Sequence, residues 1–217
     1  MATAPTVDVL VQALRSASRP LDAAGQRLAV ALYRTLAEGR PVAAAELASR
    51  TRRSVEEVTA TLDGWPNVFY DQHRQVIGFW GLALPEMAHR LEVAGRVLHA
   101  WCAWDPLFMV PLLDEPARVE STCPVTGRQV SLTVTPDGVS DVSPAEAVVS
   151  FLVPTRPWDD DVIGSFCHHV LYLASEQAGR RWMATHPGTF LLSVEQAFEV
   201  GRRFDLSRFG AALAGAT

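Results

Sequence analysis

Residues 68–80 read Val68-Phe69-Tyr70-Asp71-Gln72-His73-Arg74-Gln75-Val76-Ile77-Gly78-Phe79-Trp80, and this stretch decides the fold of the N-terminal part of the chain. Apolar and aromatic side chains on both sides of the polar segment 71–75 predict two strands joined in a hairpin. Upstream, helical spacing predicts helices over 7–18, 23–38 and 43–50, and Ser54 with Glu57 forms the capping box of a further helix. Helices followed by a hairpin are the order of a winged helix-turn-helix. Residues 1–84 are therefore predicted to form a winged-helix-like domain.

From residue 85 onward, strand and helix patterns are mixed. The apolar run 98–113 predicts a helix in two pieces, broken by Pro106, with Asp105 as the N-cap of the second piece. Strand patterns occupy 118–121, 129–135 and 147–153, residues 167–174 fit a strand or a short helix, and Ser193 begins a helix over 193–204. The predicted class is α+β, with a second, catalytic domain over 85–217 built on a mixed or antiparallel sheet packed with helices.

The composition excludes some classes of partner. The 217 residues carry a net charge of -5, and every basic residue besides histidine is arginine. An acidic surface repels nucleic acid and anionic membranes on average, so neither is expected as a partner. An apolar fraction of 48% is enough for a sizeable core.

The apolar runs and the cysteines indicate the compartment and the redox state of the protein. No uncharged apolar run approaches the roughly 18–20 residues that span a bilayer, and residues 1–11 lack the pattern of a secretory signal. The three cysteines are an odd number at wide spacing, which argues against a disulfide framework. A cytoplasmic protein with free thiols is expected.

Cys102 and Asp105 form the first candidate site. If the segment is helical, their spacing places both side chains on one face, about one turn apart. A carboxylate beside Trp101, Trp104 and Phe108 is poorly solvated, which raises its pKa and lets it hold a proton near neutral pH. The alternative is structural: Cys102 is a small core residue, and Asp105 only caps a helix.

Cys167 is followed directly by His168 and His169. Thiolates and imidazoles are zinc ligands, but the paired ligand spacing of zinc sites is missing, so hydrogen-bonded histidines are the simpler interpretation. A nearby imidazolium would lower the pKa of Cys167. Cys123 lies in a turn between two strands, where packing of the turn is a simpler role than metal binding.

DNA reading is not favoured by the predicted winged helix. The expected recognition helix, residues 54–62, carries Glu56 and Glu57 and none of the Arg, Asn or Gln side chains that read bases in the major groove. A structural cover for the second domain fits better. Phosphate-binding, dinucleotide-binding and serine-hydrolase motifs are also missing from the sequence.

These segments together resemble the bacterial organomercurial lyases, also called alkylmercury lyases, over most of the chain. The most specific pieces are Trp101-Cys102-Ala103-Trp104-Asp105 and Ser165-Phe166-Cys167, in this order and roughly this separation. Supporting pieces are Leu36-Ala37-Glu38-Gly39-Arg40-Pro41-Val42, the Ile77-Gly78 hairpin, Cys123-Pro124-Val125-Thr126-Gly127, Val130-Ser131-Leu132-Thr133-Val134 and Ser193-Val194-Glu195-Gln196-Ala197-Phe198.

The resemblance implies an enzyme that cleaves a carbon–mercury bond, releases a hydrocarbon and leaves Hg(II) on the protein. It implies that Cys102 and Cys167 are the mercury-binding catalytic thiols, that Asp105 is the catalytic acid, and that Cys123 is structural. It also implies a winged-helix-like domain that does not read DNA. His168 stands where some members have another cysteine, so transfer of the product metal could differ here.

The chemistry of the residues agrees with this reaction. Mercury is a very soft acid, and thiolate is the soft ligand that proteins offer. Asp105, after receiving a thiol proton, would deliver that proton to the carbon as a general acid. The expected order is attack by Cys102, bridging by Cys167 and protonation by Asp105. The candidate substrate-pocket residues are Trp101, Trp104, Phe108 and His168.

The expected partners are an organomercurial substrate and an acceptor for Hg(II), either low-molecular-weight thiols or a mercuric reductase. External thiols are needed for turnover, and no resident cofactor, nucleic acid or membrane is expected. Two alternatives stay open: a soft-metal-sensing winged-helix transcriptional regulator, and a mercury-binding protein without lyase activity.

Overall fold

A computed structural model describes residues 5–158 and 161–214 and begins with the predicted helices. Side-chain oxygens start three of these helices: Thr6, Asp22 and Ser54 each accept a hydrogen bond from a backbone N–H of the first turn. The capping box predicted at Ser54 and Glu57 is confirmed. The four helices are α1 (Val7–Ala17), α2 (Ala23–Leu36), α3 (Ala44–Thr51) and α4 (Val55–Asp63).

Two antiparallel sheets follow, and the predicted α+β class is confirmed. The larger sheet has eight strands in the order β1-β2-β3-β5-β4-β6-β7-β8, and the smaller has three in the order β10-β9-β11. The strands of the larger sheet are β1 (Val68–Tyr70), β2 (Val76–Phe79), β3 (Leu82–Ala83), β4 (His89–Val93), β5 (Arg96–Ala100), β6 (Ala117–Thr122), β7 (Gln129–Thr135) and β8 (Gly138–Ser143). The predicted 68–80 hairpin is the β1–β2 pair.

The larger sheet runs without interruption across residue 84, the predicted domain boundary. β3 pairs with β2 on one side, and on the other it pairs with β5, with Leu82 opposite Ala100. Both parts of the chain therefore share one hydrogen-bonded sheet, and the division into 1–84 and 85–217 stays a prediction.

The prediction of a two-piece helix over 98–113 is wrong in its first half. Residues 96–100 form β5, which is hydrogen-bonded to strands on both sides, and the helix α5 spans only Asp105–Leu113. A short apolar run has the same sequence pattern in a central strand as in a buried helix, so its strand partners decided the outcome.

Helix α5 lies in the core and packs against α2 and against the last helix, α8 (Val194–Leu213). Almost all of its residues are buried. Pro111 has no N–H to offer the carbonyl of Leu107, and α8 approaches that carbonyl at Gly201. A Cβ atom at position 201 would lie 2.8 Å from the Leu107 oxygen, so this close helix contact requires glycine.

The remaining elements close the molecule around α5. The predicted strand over 147–153 is β9 (Val148–Leu152), and the ambiguous stretch 167–174 is a 3₁₀ turn, Cys167–His169, followed by β10 (Tyr172–Leu173). The helix predicted from Ser193 has its capping box with Gln196 and continues past 204 as α8. The other elements are α6 (Val162–Ser165), α7 (Glu176–Thr185) and β11 (Thr189–Ser193). Across residues 5–158 and 161–214, no helix is both long and apolar enough to cross a membrane.

Candidate functional site

Cys102, Asp105 and Cys167 meet in the structure. Their ligating atoms, two sulfurs and a carboxylate oxygen, all lie within 4.8 Å of one another. The three residues are buried, with exposed fractions of 0%, 5% and 4%. Cys102 comes from the turn between β5 and α5, Asp105 is the first residue of α5, and Cys167 begins the 3₁₀ turn after α6.

Backbone hydrogen bonds hold the two thiol-bearing turns together. The N–H of Ala103, next to Cys102, donates to the carbonyl of Val170 at 2.9 Å, and the N–H of Val170 donates to the carbonyl of Cys167 at 3.1 Å. The two cysteines, far apart along the chain, are thus fixed through main-chain groups and not only through side-chain packing.

Asp105 reaches back toward Cys102 instead of capping its helix. Its Oδ2 accepts a hydrogen bond from the Cys102 N–H at 2.6 Å, whereas the N-cap of α5 is Trp104, which makes no side-chain capping bond. The predicted N-cap role is therefore wrong, and so is the premise that Cys102 lies on the helix. The proximity of the two residues comes from a turn that folds Asp105 over Cys102.

Burial controls the acidity of the carboxyl group. Desolvation raises the pKa of Asp105 from 3.8 to about 7, and the hydrogen bond from the Cys102 backbone offsets only part of this rise. The prediction of a carboxyl group that holds a proton near neutral pH is confirmed by this environment.

Both thiols are also protonated more readily than free cysteine. Desolvation raises the pKa of Cys102 well above 9, helped by its hydrogen bond to Cys167 and by the Asp105 charge. The hydrogen bond from Cys102 lowers the pKa of Cys167, but burial and Asp105 outweigh it, so the net shift is upward. The expectation that an imidazolium lowers the pKa of Cys167 is wrong, because neither neighbouring histidine contributes to this shift.

An aromatic cavity opens onto the cluster. It encloses about 320 Å³ of space free of atoms, part of it open to solvent. Cys167 and Asp105 line it, while Cys102 lies behind them, fully enclosed. The other lining residues are Trp80, Gly81, Trp101, Trp104, Phe108, Trp158, Val162, Phe166 and Phe204.

Three of the four expected pocket residues line the cavity, and one does not. Trp101, Trp104 and Phe108 lie on the cavity wall. His168 does not line this cavity: it is exposed, and its ring lies 5.5 Å from that of His169, centroid to centroid. His168 directly follows Cys167 in the 3₁₀ turn, where successive side chains point in different directions, so it lies at the surface while Cys167 is buried.

Sequence reasoning missed several wall residues. Trp80 is the last residue of the predicted hairpin and Gly81 follows it, and a glycine at the end of a strand pattern is a signal for a turn. Trp158 packs edge-on against Trp80, with ring centroids 5.3 Å apart. Phe204 comes from α8, and no local signal marks it as part of the site.

Cys123 lies outside the cluster, in the turn between β6 and β7. Its N–H donates to the Arg128 carbonyl, and its carbonyl accepts from the Gly127 N–H, both at 2.9 Å. Burial raises the pKa of Cys123, but hydrogen bonds from the Thr126 hydroxyl and nearby backbone N–H groups outweigh that effect and lower it. The structural role expected for Cys123 stays a prediction.

The cluster has the chemistry for a soft metal that carries an apolar group. Two sulfurs can hold the metal, a carboxyl group that titrates near neutrality can move a proton, and aromatic walls can surround a hydrocarbon. All three cysteines are free thiols, so both sulfurs of the cluster are available as ligands.

Comparisons with known proteins point the same way. The family model described as alkylmercury lyase matches residues 82–205, and the model described as the helix-turn-helix domain of alkylmercury lyase matches residues 7–80. An alkylmercury lyase of Pseudomonas putida is 41% identical over 192 residues, 88% of each chain. One from Staphylococcus epidermidis is 41% identical over 171 residues, 79% of this chain and 78% of its own.

A solved structure shares the fold. The mercury-bound form of MerB2 superposes with a TM-score of 0.72, covering 91% of this chain and 97% of its own, at 20% sequence identity.

Proposed function

The chain belongs to the alkylmercury lyase family, and we propose that Cys102, Cys167 and Asp105 carry out its reaction, the cleavage of a carbon–mercury bond to give a hydrocarbon and Hg(II). The observation that carries this assignment is the meeting of two thiol sulfurs and one carboxylate oxygen within 4.8 Å, on an aromatic cavity. The substrate is an organomercurial.

Cys167 captures the mercury first. It lines the cavity, whereas Cys102 lies behind it. Burial raises the pKa of both thiols, but for Cys167 a hydrogen bond from Cys102 offsets part of this rise. Its sulfur displaces the weaker ligand of the organomercurial, and its proton leaves with that ligand. This order is the reverse of the one expected from the sequence, and access to the cavity is the reason.

Cys102 then adds as the second sulfur, and its proton passes to the Asp105 carboxylate. Two thiolates on mercury increase the electron density at the bound carbon. Asp105, now a neutral acid in a water-poor pocket, donates the proton to that carbon as the carbon–mercury bond breaks. Of the two thiol protons, one has left with the displaced ligand and one is in the hydrocarbon, while mercury stays as Hg(II) between two sulfurs.

Release of Hg(II) requires competing thiols. We assign this role to low-molecular-weight thiols or to a mercuric reductase, with no resident cofactor. We place the reaction in the cytoplasm, where a reducing thiol pool keeps the three cysteines free. The apolar, aromatic lining of the cavity suits an alkyl or aryl group on mercury.

The test is a single-turnover measurement with phenylmercuric acetate and excess cysteine, with benzene release followed by gas chromatography. Asp105→Ala and Asp105→Asn are expected to slow release at least ~10²-fold, the contribution of a general acid, while Hg(II) binding by the two thiols persists. Asp137→Ala, which removes an exposed carboxylate in the β7–β8 turn, is the control and should match the parent.

Two results would contradict the assignment. Normal benzene release by Asp105→Asn would remove Asp105 from the reaction. Tight mercury uptake by the parent protein with no benzene at all would make it a binding protein without lyase activity.

A further inference from the structure

Gly81 lies against the Asp105 carboxyl group. It sits in the tight turn between β2 and β3, with φ +93, a conformation that side chains rarely adopt. A Cβ atom at position 81 would lie 2.6 Å from both Cγ and Oδ1 of Asp105, and 2.9 Å from its Cβ. Real Cβ atoms do not approach other atoms this closely, so the carboxyl occupies space that any other residue here would fill.

We propose that Gly81 is a positioning residue for Asp105: the missing side chain leaves the space in which the carboxyl can reach Cys102 and face the cavity. The inference rests on the proposed function, because it gives Gly81 a role only through Asp105. It also gives the N-terminal hairpin a part in the active site.

The turn that carries Gly81 is held in place on both sides. The Gly81 carbonyl accepts a hydrogen bond from the Trp101 N–H at 3.0 Å, which ties it to the turn that carries Cys102. The Trp80 carbonyl accepts a hydrogen bond from the Tyr33 hydroxyl at 2.8 Å. The Trp80 N–H donates to the Asn67 carbonyl at 3.3 Å. With the turn fixed in this way, a new side chain at position 81 would displace Asp105 more readily than the turn.

Asp105 has little freedom on its other side. Oδ2 is committed to the Cys102 N–H at 2.6 Å, while Oδ1 faces Gly81. A methyl group at position 81 must therefore push the carboxyl away from the position where it exchanges a proton with Cys102. A shift of about 1 Å in a reacting group can cost ~10²-fold in rate.

Conformational freedom alone does not account for Gly81. Gly188 has nearly the same φ, +90, in the turn between α7 and β11. Among the described residues, its chain neighbours aside, a Cβ atom there would meet nothing within 4 Å. The two glycines differ in the presence of the carboxyl, which makes Gly188→Ala a matched control for backbone strain.

The experiment compares Gly81→Ala and Gly188→Ala in the full-length protein. Single-turnover benzene release from phenylmercuric acetate and equilibrium binding of Hg(II) are measured for each. Gly81→Ala is expected to slow release ~10²-fold with Hg(II) affinity within about threefold of the parent, and Gly188→Ala to keep both. The inference is overturned if Gly81→Ala releases benzene within about threefold of the parent rate, if Gly188→Ala loses as much, or if Hg(II) affinity falls in parallel with release.

A double-variant cycle separates positioning from a general structural effect. In an Asp105→Asn background, Gly81→Ala should slow release by less than about twofold, because the group it acts through is already gone; a full further loss would contradict the inference. Parent-like release by Asp105→Asn alone would reject the proposed function itself. An inactive Asp105→Asn beside an active Gly81→Ala would reject only the role of Gly81.

If Gly81→Ala does not fold, the double variant Gly81→Ala/Asp105→Gly decides. It removes the three atoms that lie nearest to the new methyl group, so restored folding supports the inference. A double variant that also fails to fold overturns it.

Discussion

Asp105 is buried, so its ionisation is unfavourable, and the same burial lets it hold the proton that the proposed reaction needs. With its pKa raised from 3.8 to about 7, the native state binds a proton between these pH values that the unfolded chain has already released. The free energy of unfolding therefore falls as pH rises from about 4 to about 7, and above this window the charged group destabilises the protein by about 4 kcal/mol. The side chains that interact electrostatically with it, Cys102, Cys167, Tyr33 and Tyr172, titrate above this window.

Asp105→Asn is accordingly expected to stabilise the protein while it removes activity. Urea unfolding at a series of pH values should show no gain near pH 4 and a gain of up to about 4 kcal/mol at pH 8. The comparison with the parent cancels the contribution of Asp205, another buried carboxyl with a raised pKa. A gain that does not depend on pH would show that ionisation of Asp105 is not its cause.

Among the elements, α5 is both a core helix and the carrier of a proposed catalytic residue. Its first residue is Asp105, and one turn later α8 packs on it at Gly201, where a Cβ atom would lie 2.8 Å from the Leu107 oxygen and 3.0 Å from Cβ of Phe108. Gly201→Ala is expected to destabilise the protein by roughly 1–3 kcal/mol, the usual cost of overpacking. It should also lower activity, because Phe108 and Phe204 line the cavity.

Gly210→Ala in the same helix is the matched control. Apart from its own helix backbone and chain neighbours, no atom of residues 5–158 and 161–214 lies within 4 Å of the added Cβ, so the better helix propensity of alanine should stabilise the protein by roughly 0.5–1 kcal/mol. Urea unfolding of both variants checks the opposite signs. Equal effects at the two positions would show that helix propensity, and not the contact with α5, decides both.

At the scale of the whole molecule, the N-terminal part completes both the sheet and the site. β3 joins β2 to β5, the Tyr33 hydroxyl bonds to Trp80, and Arg34 Nε donates to the Leu112 carbonyl of α5 at 3.0 Å. A fragment of residues 85–217 would lose these partners and expose the face of α5 that packs on α2. It is expected to lack cooperative unfolding and lyase activity.

Circular dichroism during a urea titration, with the full-length protein alongside, tests the fragment. A cooperative transition with the helix content of residues 85–217 would show that the second part folds alone. The interaction between the two parts would then be one of docked domains and not one of a shared core.

The sequence by itself determined the features that depend on residues a few positions apart. The capping box at Ser54, the helix start at Ser193 and the 68–80 hairpin follow from local hydrogen bonding and alternation, and they appear where they were predicted. The set of two thiols and one acid was identified through the resemblance of the sequence to the family, because each segment by itself also fitted a structural interpretation.

Only the tertiary structure decided the rest. Whether residues 96–100 were strand or helix depended on the neighbours β3 and β4, since both states bury an apolar run equally well. The approach of Cys102 to Cys167 depended on the Ala103–Val170 hydrogen bond, and the space for Asp105 depended on Gly81 from another part of the chain. Contacts between distant segments cannot be read from the pattern of either segment, because that pattern reflects only the local secondary structure and burial of the segment itself.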